Sequence, residues 1–219
     1  MPVSFVDLAQ TCAPIVAAET LAGVVSLESG FAPFAIRINT APPLAEQPRA
    51  KPEAIEIATS LAAEGHDVQL GLGGVGMEEL RKLDLSISDA FDPCLNLQGT
   101  ATILDGYYRL AVEAGATEDR AEQIMLQSWY GRSDPSIGEM VKYDQQVRRE
   151  IAQLGTTLET LTIGNAGQGK GPSEANTVES TVDELSDARD APPPSWDVFN
   201  ARRRSSVLVF QNSHMEQTK

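Results

Sequence analysis

The composition of the chain changes abruptly after Gly164, and this boundary confines any packed core to the first 164 residues. Residues 165–172 read Asn-Ala-Gly-Gln-Gly-Lys-Gly-Pro, and Ser, Thr, Glu, Asp and Pro are frequent beyond them. Such a stretch has too little apolar surface to offset the entropy lost when its backbone is ordered. We therefore expect one globular domain over residues 1–164 and a disordered, acidic, Pro-containing tail over residues 165–219.

Near its end the tail contains a second kind of segment. Arg202-Arg203-Arg204 precedes the apolar run Val207-Leu208-Val209-Phe210. A short apolar run in a polar tail can add a strand to the edge of a partner's sheet. The alternative is a frayed terminus with an incidental apolar tetrapeptide. The sequence leaves both interpretations open.

The charge of the domain excludes several classes of partner. The chain carries 31 acidic and 17 basic residues, for a net charge of −14, and 23 of the acidic but only 11 of the basic residues fall within positions 1–164. An acidic domain repels phosphate backbones and anionic lipid surfaces. The sequence has no apolar run long enough to span a bilayer, and its first residues lack the pattern of a secretory signal. We expect no nucleic acid, no transmembrane segment, and a neutral or mixed-charge ligand.

Most of the domain has the periodicity of amphipathic helices. Helices are predicted over about residues 5–12, 19–29, 52–64, 118–130 and 136–154, and a further one runs from Pro93 through at least Ala111. The signals at their ends are Ser4 and Asp92 as N-caps, Pro52 and Pro93 in first turns, and Gly30 and Gly65 as stops. In the last helix the residues expected to face the core are Met140, Val141, Val147 and Ile151. Residues 68–72 alternate and predict a short strand, so the fold class is α+β and mainly helical.

Glu28 is the residue that the helical pattern singles out for chemistry. It shares one apolar stripe with Leu21, Val24 and Val25, and the helix ends directly after it at Gly30. A carboxyl group held against apolar side chains at the C-terminal end of a helix should have a raised pKa and keep its proton near neutral pH. Such a group suits general acid chemistry. The alternative is that Glu28 tops the helix in solvent or caps a neighbouring amide.

The segment Gly71-Leu72-Gly73-Gly74-Val75-Gly76 matches the G-x-G-x-x-G pattern of dinucleotide-binding turns. It follows a predicted strand, but the next alternating run, residues 83–87, comes too soon for a parallel crossover. The sequence carries no nucleophile-elbow, zinc-protease or Walker pattern either. We therefore expect no bound nucleotide and no cofactor.

The chain has two cysteines and two histidines, which limit the possible disulfides and metal sites. Cys12 and Cys94 would form one long-range disulfide in an oxidising compartment and would stay thiols in a reducing one, and their positions alone leave both open. His66 and His214 lie far apart without a cysteine cluster, so the sequence predicts no metal site. Tyr130 ends a predicted helix, where its side chain could belong to the core or to a cleft.

An ordered series of motifs carries a resemblance to a known family. The series is Glu28-Ser29-x-Phe31-x-Pro33-x-Ala35-Ile36, Gly71-Leu72, Asp92-Pro93-Cys94-x-Asn96-Leu97 and Ser128-x-Tyr130, after an opening Leu8-Ala9-Gln10-x-Cys12-Ala13-Pro14. Over about residues 4–150 it resembles the soluble lytic transglycosylase domain of the lysozyme superfamily, and more narrowly the small transglycosylase subunit of type IV secretion and conjugation systems. The resemblance implies a lysozyme-like domain with a small antiparallel sheet beside the cleft.

The resemblance also implies an activity and the residues that perform it. Glu28 corresponds to the lone catalytic acid/base, which cleaves the bond between N-acetylmuramic acid and N-acetylglucosamine in peptidoglycan and leaves a 1,6-anhydro end. Ser29 matches the serine beside the acid, and Tyr130 the tyrosine that hydrogen-bonds near it. The full set of implied substrate-binding residues is Ser29, Leu72, Gly73, Gly74 and Tyr130.

Further implications of the resemblance concern the setting of the protein. Cys12 and Cys94 match cysteines of the secretion-system branch, which implies a disulfide between them. The implied location is the periplasm, although the chain has no recognisable signal peptide. The implied partners are peptidoglycan glycan strands and secretion or conjugation subunits, the latter through the C-terminal tail.

Two departures from the family pattern predict a reduced activity. The family carries glutamine and asparagine where this chain has Gly74 and Gly76, and an asparagine where it has Gly131. Because these amides orient the glycan, we expect weaker turnover, which Gly74→Gln with Gly76→Asn should raise unless the glycines are needed for a positive φ. The leading function is a lytic transglycosylase that opens the wall for a secretion apparatus. The rival is a weakly active or non-catalytic glycan-binding assembly module of the same apparatus.

Overall fold

The computed structural model describes residues 3–163 of the chain. Helices make up most of this region: α1 Phe5–Cys12, α2 Ala18–Ser29, α3 Lys51–Ala63, α4 Met77–Lys82, α5 Ile87–Ala90, α6 Pro93–Glu113, α7 Glu118–Tyr130, α8 Pro135–Met140 and α9 Tyr143–Leu154. A 3₁₀ helix, Gly155–Thr160, follows α9. The predicted tail, including the apolar run 207–210, lies outside the described residues.

The strands form two small antiparallel sheets. One has three strands in the order β2 (Ile36–Ile38), β3 (Val68–Leu70) and β4 (Val75–Gly76). In the other, β1 (Val3–Ser4) pairs with β5 (Thr162–Ile163), so the two ends of the described region meet. The predicted α+β, mainly helical class is confirmed, and the arrangement is consistent with a lysozyme-like fold.

Predicted helix ends are confirmed where a side-chain cap or a glycine fixes them. The Ser4 hydroxyl caps α1, and the Asp92 carboxylate accepts two backbone amides of the first turn of α6, both at 3.0 Å. Gly30 takes a left-handed conformation with φ of 57° and ends α2. These ends are local in origin, because a capping side chain or a glycine acts within one turn.

The alternating run at residues 83–87 is a turn and a helix start rather than a strand. Asp84 has a φ of 56°. The Ser86 hydroxyl accepts from the Asp89 amide while the Asp89 carboxylate accepts from the Ser86 amide, a capping box that begins α5. Capping therefore decides the structure here, and the apolar alternation does not.

The single helix predicted over residues 136–154 is two helices, α8 and α9. Lys142 between them has a left-handed backbone with φ of 54°. Met140 is 75% exposed and Val141 39% exposed, so the prediction that they face the core is wrong. Val147 is fully buried, as predicted. The break explains the difference, because the period of one continuous helix does not relate residues on its two sides.

Strand β2 was not predicted, since it lies next to a loop rich in Pro and Ala. Its local signal is the alternation Ile36-Arg37-Ile38. The Gln47 side chain satisfies the outer edge of the strand: its Oε1 accepts from the Ile36 amide at 2.9 Å, and its Nε2 donates to the Ile36 carbonyl at 3.0 Å. A loop side chain thus takes the place of a fourth strand.

Helices α2 and α9 pack at close range around Gly23. A Cβ atom at this position would lie 2.9 Å from the Cγ1 atoms of Val147 and Ile151 and 2.9 Å from the Val147 carbonyl oxygen. Interiors packed to this density have no room for an added methyl group. The contact holds the start of α9, which carries Tyr143, beside the C-terminal end of α2, which carries Glu28.

A disulfide joins the end of α1 to the first turn of α6. It links Cys12 to Cys94, whose Cα atoms are 5.3 Å apart and whose positions differ by 82 residues. A cross-link that closes a loop of this length restricts the unfolded chain, which stabilises the fold by about 4 kcal/mol on a chain-entropy estimate.

We expect opposite effects from alanine at two helical glycines. Gly23→Ala should lower the free energy of unfolding by about 1–3 kcal/mol because α9 must move away from α2. Gly106→Ala, on α6, should raise it by about 0.5–1 kcal/mol, because an added Cβ there meets nothing within 4 Å and alanine favours the helix. Denaturant unfolding of both variants measures the difference. Equal effects would contradict a close α2–α9 contact.

The disulfide predicts a second stability difference. Cys12→Ser with Cys94→Ser should lower the free energy of unfolding by about 4 kcal/mol relative to the oxidised protein. Thiol labelling of denatured, non-reduced protein should find no free cysteine among these two. Labelling of both residues would contradict the bond.

Candidate active site

The carboxyl group of Glu28 is buried at the C-terminal end of α2. Its side chain is 2% exposed, and the preceding residues of its stripe, Leu21, Val24 and Val25, are fully buried. The alternative in which Glu28 tops the helix in solvent is therefore excluded. A buried carboxyl group needs polar partners, since an unpaired one is costly.

Two side chains from distant elements bind the two carboxyl oxygens of Glu28. The Tyr143 hydroxyl, at the start of α9, donates to Oε1 at 2.5 Å. The Arg37 guanidinium, on β2, donates through Nη2 to Oε2 and forms an ion pair with it. Every oxygen of the carboxyl group thus has a donor, as a buried polar group requires.

Burial and these partners act on the pKa of Glu28 in opposite directions. Burial is the largest effect and raises the pKa, whereas the charge of Arg37 and hydrogen bonds from Tyr143, Arg37 and Trp129 lower it. The pKa remains raised on balance. Burial, with the nearby charge of Glu28 second, also places the pKa of Tyr143 well above its ordinary value, so this phenol stays a neutral donor.

The sheet holds the guanidinium of Arg37 in place. Arg37 lies opposite Gln69 in the register of β2 and β3, and its Nε donates to the Gln69 Oε1 atom at 2.5 Å. The Arg37 side chain is 40% exposed, so solvent screens part of its charge. The cross-strand pair therefore orients a partly solvated cation toward a buried acid.

An open pocket of about 360 Å³ lies in front of Glu28. Its lining residues are Glu28, Arg37, Asn39, Gln69, Trp129, Tyr130 and Arg132. They come from α2, β2, β3 and α7 and from the segments directly after β2 and α7, so the sheet and the helices together form the walls. Its volume lies in the usual range of ligand sites, and five of its seven lining residues are charged or carry an amide, so it suits a polar ligand.

The structure separates the two tyrosines of the site. Tyr130 is 40% exposed, and its ring lies 5.1 Å from that of Tyr143 between centroids. The hydrogen bond that the resemblance assigned to Tyr130 is made by Tyr143, which is a correction to that assignment. Tyr130 instead contributes an aromatic surface to the pocket wall. The sequence motif includes Tyr130 but not Tyr143. The contact of Tyr143 with Glu28 spans 115 residues, so no local pattern indicates that Tyr143 is the donor.

The glycine-rich segment is fixed between α2 and α6. The Ser29 hydroxyl donates to the Leu72 carbonyl at 2.7 Å, and the Gly73 amide donates to the Asn96 Oδ1 atom at 2.7 Å. Leu72 has no exposed surface. Leu72 and Gly73 therefore hold the segment in place, and their assignment as ligand contacts stays a prediction.

Asn96 belongs to the Asp92-Pro93-Cys94-x-Asn96-Leu97 motif, but the sequence does not indicate its function. It is 1% exposed, and its Nδ2 donates to the carbonyls of Leu70 and Ala90, both at 2.9 Å, in addition to accepting from Gly73. Three hydrogen bonds of one side chain thus join β3, α5 and the glycine-rich segment to α6. No periodicity in the sequence signals this network.

Gly73, Gly74 and Gly76 lie so close to neighbouring side chains that an added Cβ atom would collide with them. Gly74 has a φ of 70°, and a Cβ there would lie 3.0 Å from the Glu28 Oε2 atom. A Cβ at Gly73 would lie 2.0 Å from the Thr100 hydroxyl, and one at Gly76 would lie 2.4 Å from the Glu79 Oε2 atom. Of the two outcomes expected for Gly74→Gln with Gly76→Asn, these contacts and the positive φ of Gly74 favour destabilisation over a gain in activity, because both side chains would displace a carboxylate.

Two further findings concern the described residues as a whole. Within residues 3–163, no group of three or more His, Cys, Asp and Glu side chains is arranged to hold a metal ion. In the same region, no helix combines the length and the apolar character needed to cross a membrane.

We expect Arg37→Gln to raise the pKa of Glu28. The variant removes the positive charge that is the largest of the lowering effects, so the carboxylate is less stabilised and keeps its proton to higher pH. NMR titration of the Glu28 carboxyl carbon measures the change. Arg49→Gln is the control, since the Arg49 side chain is 80% exposed and pairs with Glu46. A Glu28 pKa that falls or stays constant in Arg37→Gln would contradict the ion pair.

Comparison with known proteins shows the family to which the chain belongs. No family model matches the chain, and no solved structure matches it. The type IV secretion system proteins VirB1 of Brucella suis biovar 1 and Brucella abortus biovar 1 are each 44% identical to it over 110 residues, which are 50% of this chain and 46% of theirs. The chain thus matches about half the length of these curated relatives. Protein VirB1 of Agrobacterium fabrum is 30% identical over 212 residues, which are 94% of this chain and 75% of that protein. The chain belongs to the VirB1 family of type IV secretion system proteins.

Proposed function

We propose that this protein is a peptidoglycan lytic transglycosylase and that Glu28 is its single acid/base. The observation that carries the proposal is a buried carboxyl group with a raised pKa at the wall of an open pocket. Of the seven residues that line this pocket, Glu28 alone has a carboxyl group. A single carboxyl suits a reaction in which the substrate itself assists, unlike the two-carboxylate mechanism of most glycosidases.

In the proposed reaction Glu28 first donates its proton to the glycosidic oxygen that links N-acetylmuramic acid to N-acetylglucosamine. The bond from the muramoyl anomeric carbon to that oxygen breaks, and N-acetylglucosamine leaves with the proton on its hydroxyl. The carboxylate that results is stabilised by the Tyr143 hydroxyl and the Arg37 guanidinium, which already contact its two oxygens. The substrate's acetamido group stabilises the cationic sugar. Glu28 then accepts the proton of the muramoyl 6-hydroxyl, and that oxygen closes the 1,6-anhydro ring.

The two opposing effects on the pKa of Glu28 suit both halves of this cycle. Burial favours the protonated form that the first step requires. The charge of Arg37 favours the ionised form that the second step requires. A general acid that must also act as a base works best when neither form is strongly preferred.

The proposed setting is the periplasm, where the protein opens the wall for a type IV secretion or conjugation apparatus. The names of the relatives support an envelope apparatus, and the Cys12–Cys94 disulfide suits an oxidising compartment. We assign glycan chemistry to the domain of residues 1–164. The tail of residues 165–219 would bind secretion subunits.

A second candidate function is a glycan-binding assembly module of the same apparatus with weak or no catalysis. The ion pair between Arg37 and Glu28 favours it, because a carboxylate held by a guanidinium must be freed or protonated before it can act as an acid. Both functions use the same pocket, and only turnover separates them.

Glu28→Gln should abolish digestion of purified peptidoglycan, because the amide has nearly the shape of the acid but no proton to donate. We expect a loss of at least about a hundredfold, the usual size of a general acid contribution. The matched control is Glu19→Gln, at an exposed position in the first turn of the same helix, which should digest at the wild-type rate.

Mass spectrometry of the released muropeptides identifies the reaction. 1,6-Anhydro ends support the proposed transfer, whereas reducing ends alone would mean hydrolysis. A folded wild-type protein that binds glycan strands without cleaving them would favour the assembly module. Undiminished digestion by Glu28→Gln would rule out Glu28 as the acid.

A further inference from the structure

A second, much smaller cavity lies beside the Glu28 pocket. Its volume is about 10 Å³, which is close to the space that one water molecule occupies. Its lining residues are Gln69, Gly74, Gly76, Glu79, Ile103, Tyr107, Trp129 and Arg132. Gln69, Trp129 and Arg132 line both cavities, so the two are neighbours along a common wall.

Two charged atoms at this small cavity have no hydrogen-bond partner within residues 3–163. They are Oε2 of Glu79, a residue that is 8% exposed, and Nη2 of Arg132, and both atoms are buried. A buried charged group without a partner is costly and rare, so each such atom calls for a ligand or a water molecule. Here one is an acceptor and the other is a donor.

Gly76 leaves the space that the Glu79 carboxylate occupies. A Cβ at Gly76 would lie 2.4 Å from the Glu79 Oε2 atom and 3.5 Å from the Arg132 Nη2 atom. The backbone of Gly76 is extended, with φ of −79° and ψ of 165°, which any residue can adopt. Glycine is therefore needed at this position for space, and the space is taken by the carboxylate.

Arg132 is held by strained backbone and by an ion pair. Its φ is 51°, and that of the next residue, Ser133, is 85°, both in the region that favours glycine. Its Nη1 donates to the Asp67 Oδ1 atom at 2.7 Å, and Asp67 accepts in turn from Asn39 at 3.0 Å. One side of the guanidinium is thus fixed, while the other reaches the small cavity. Strain of this kind often accompanies a binding role.

We propose that Glu79 and Arg132 form a hydroxyl-binding subsite, adjacent to the Glu28 pocket, that takes one sugar hydroxyl of a glycan strand. This inference rests on the proposed glycan function. A hydroxyl group has the size of a water molecule and can donate to the carboxylate while it accepts from the guanidinium.

The chemistry of the cavity excludes other small groups. A carboxylate or phosphate is too large for a space of one water molecule and would be repelled by Glu79. A methyl group would leave both charged atoms without a partner. The Tyr107 phenol adds a further polar group to the wall. Its pKa is raised, first by burial and then by the charge of Glu79, so it keeps its proton.

The test measures binding of the β-1,4-linked tetrasaccharide of N-acetylglucosamine and of its monodeoxy analogues, by calorimetry, in a Glu28→Gln background. One analogue should bind about tenfold or more weakly than the parent, since a hydrogen bond to a charged group is lost. Adding Glu79→Leu should weaken binding of the unmodified tetrasaccharide by a similar factor. In that variant the one analogue should bind as tightly as the unmodified sugar. A role of Glu79 in folding alone would weaken all the sugars equally.

Two further variants control for the fold. Glu78→Leu changes the neighbouring residue of α4, whose side chain is 65% exposed and pairs with Lys82, and it should bind like the parent protein. Gly76→Ala keeps the Glu79 carboxylate but forces it to move, so it should lose the same discrimination between sugars. If Glu79→Leu does not fold, Gly76→Ala still tests the subsite.

The outcomes separate this inference from the proposed function. Discrimination among the sugars that depends on Glu79 supports the subsite, even in a protein that fails to digest peptidoglycan. Suppose that digestion requires Glu28, but that Glu79→Leu and Gly76→Ala bind every sugar as tightly as the protein without these changes. This result would overturn the subsite and leave the proposed enzyme intact. Failure to bind any of these sugars would also overturn it, whereas the Glu28→Gln digestion assay judges the enzyme separately.

Discussion

The burial of one carboxyl group, that of Glu28, is the constraint on which the rest of the site depends. A side chain that is 2% exposed can hold a carboxyl group only if its oxygens find donors, and the donors come from α9 and β2. Gly23 lets α9 approach α2 closely enough for Tyr143 to reach Oε1. Gly74 lets the glycine-rich segment lie against Oε2. Helix packing, the sheet and the turn are thus arranged around a single acid.

The site balances two electrostatic effects. Desolvation alone would keep Glu28 protonated but make it a weak proton donor for the first half of a proton-transfer cycle, whereas an unscreened guanidinium alone would hold it ionised. Arg37 is 40% exposed, so water weakens its charge, and the cross-strand hydrogen bond to Gln69 fixes its direction. The position of Arg37 on an edge strand therefore matters as much as its charge, because a fully buried ion pair would favour the ionised form more strongly.

Local signals in the sequence predicted most helices and left burial of Glu28 as one of two interpretations, while the partners of Glu28 could not be predicted. Ser4, Asp92 and Gly30 act within one turn, so their effects are visible in short patterns. The contact from Tyr143 to Glu28 spans 115 residues, and it depends on the break at Lys142 that separates α8 from α9. Apolar periodicity cannot reveal such a break, since a left-handed residue leaves the pattern on both sides intact.

The glycines at positions 74 and 76 depart from the family pattern, and the structure shows that carboxylates from other elements lie beside them. Read from the sequence, they remove two amide side chains and suggest a weakened site. In the structure each glycine adjoins a carboxylate, Glu28 at position 74 and Glu79 at position 76, and each carboxylate occupies volume that a side chain would need. Polar groups are therefore present at this wall of the cleft, but they come from other elements. The loss of a motif residue is evidence for a weakened site only when no other group fills its space. At position 76 the Glu79 carboxylate fills that space. Leaving the buried Glu79 and Arg132 atoms without a partner costs free energy, so the small cavity between them favours a bound polar group.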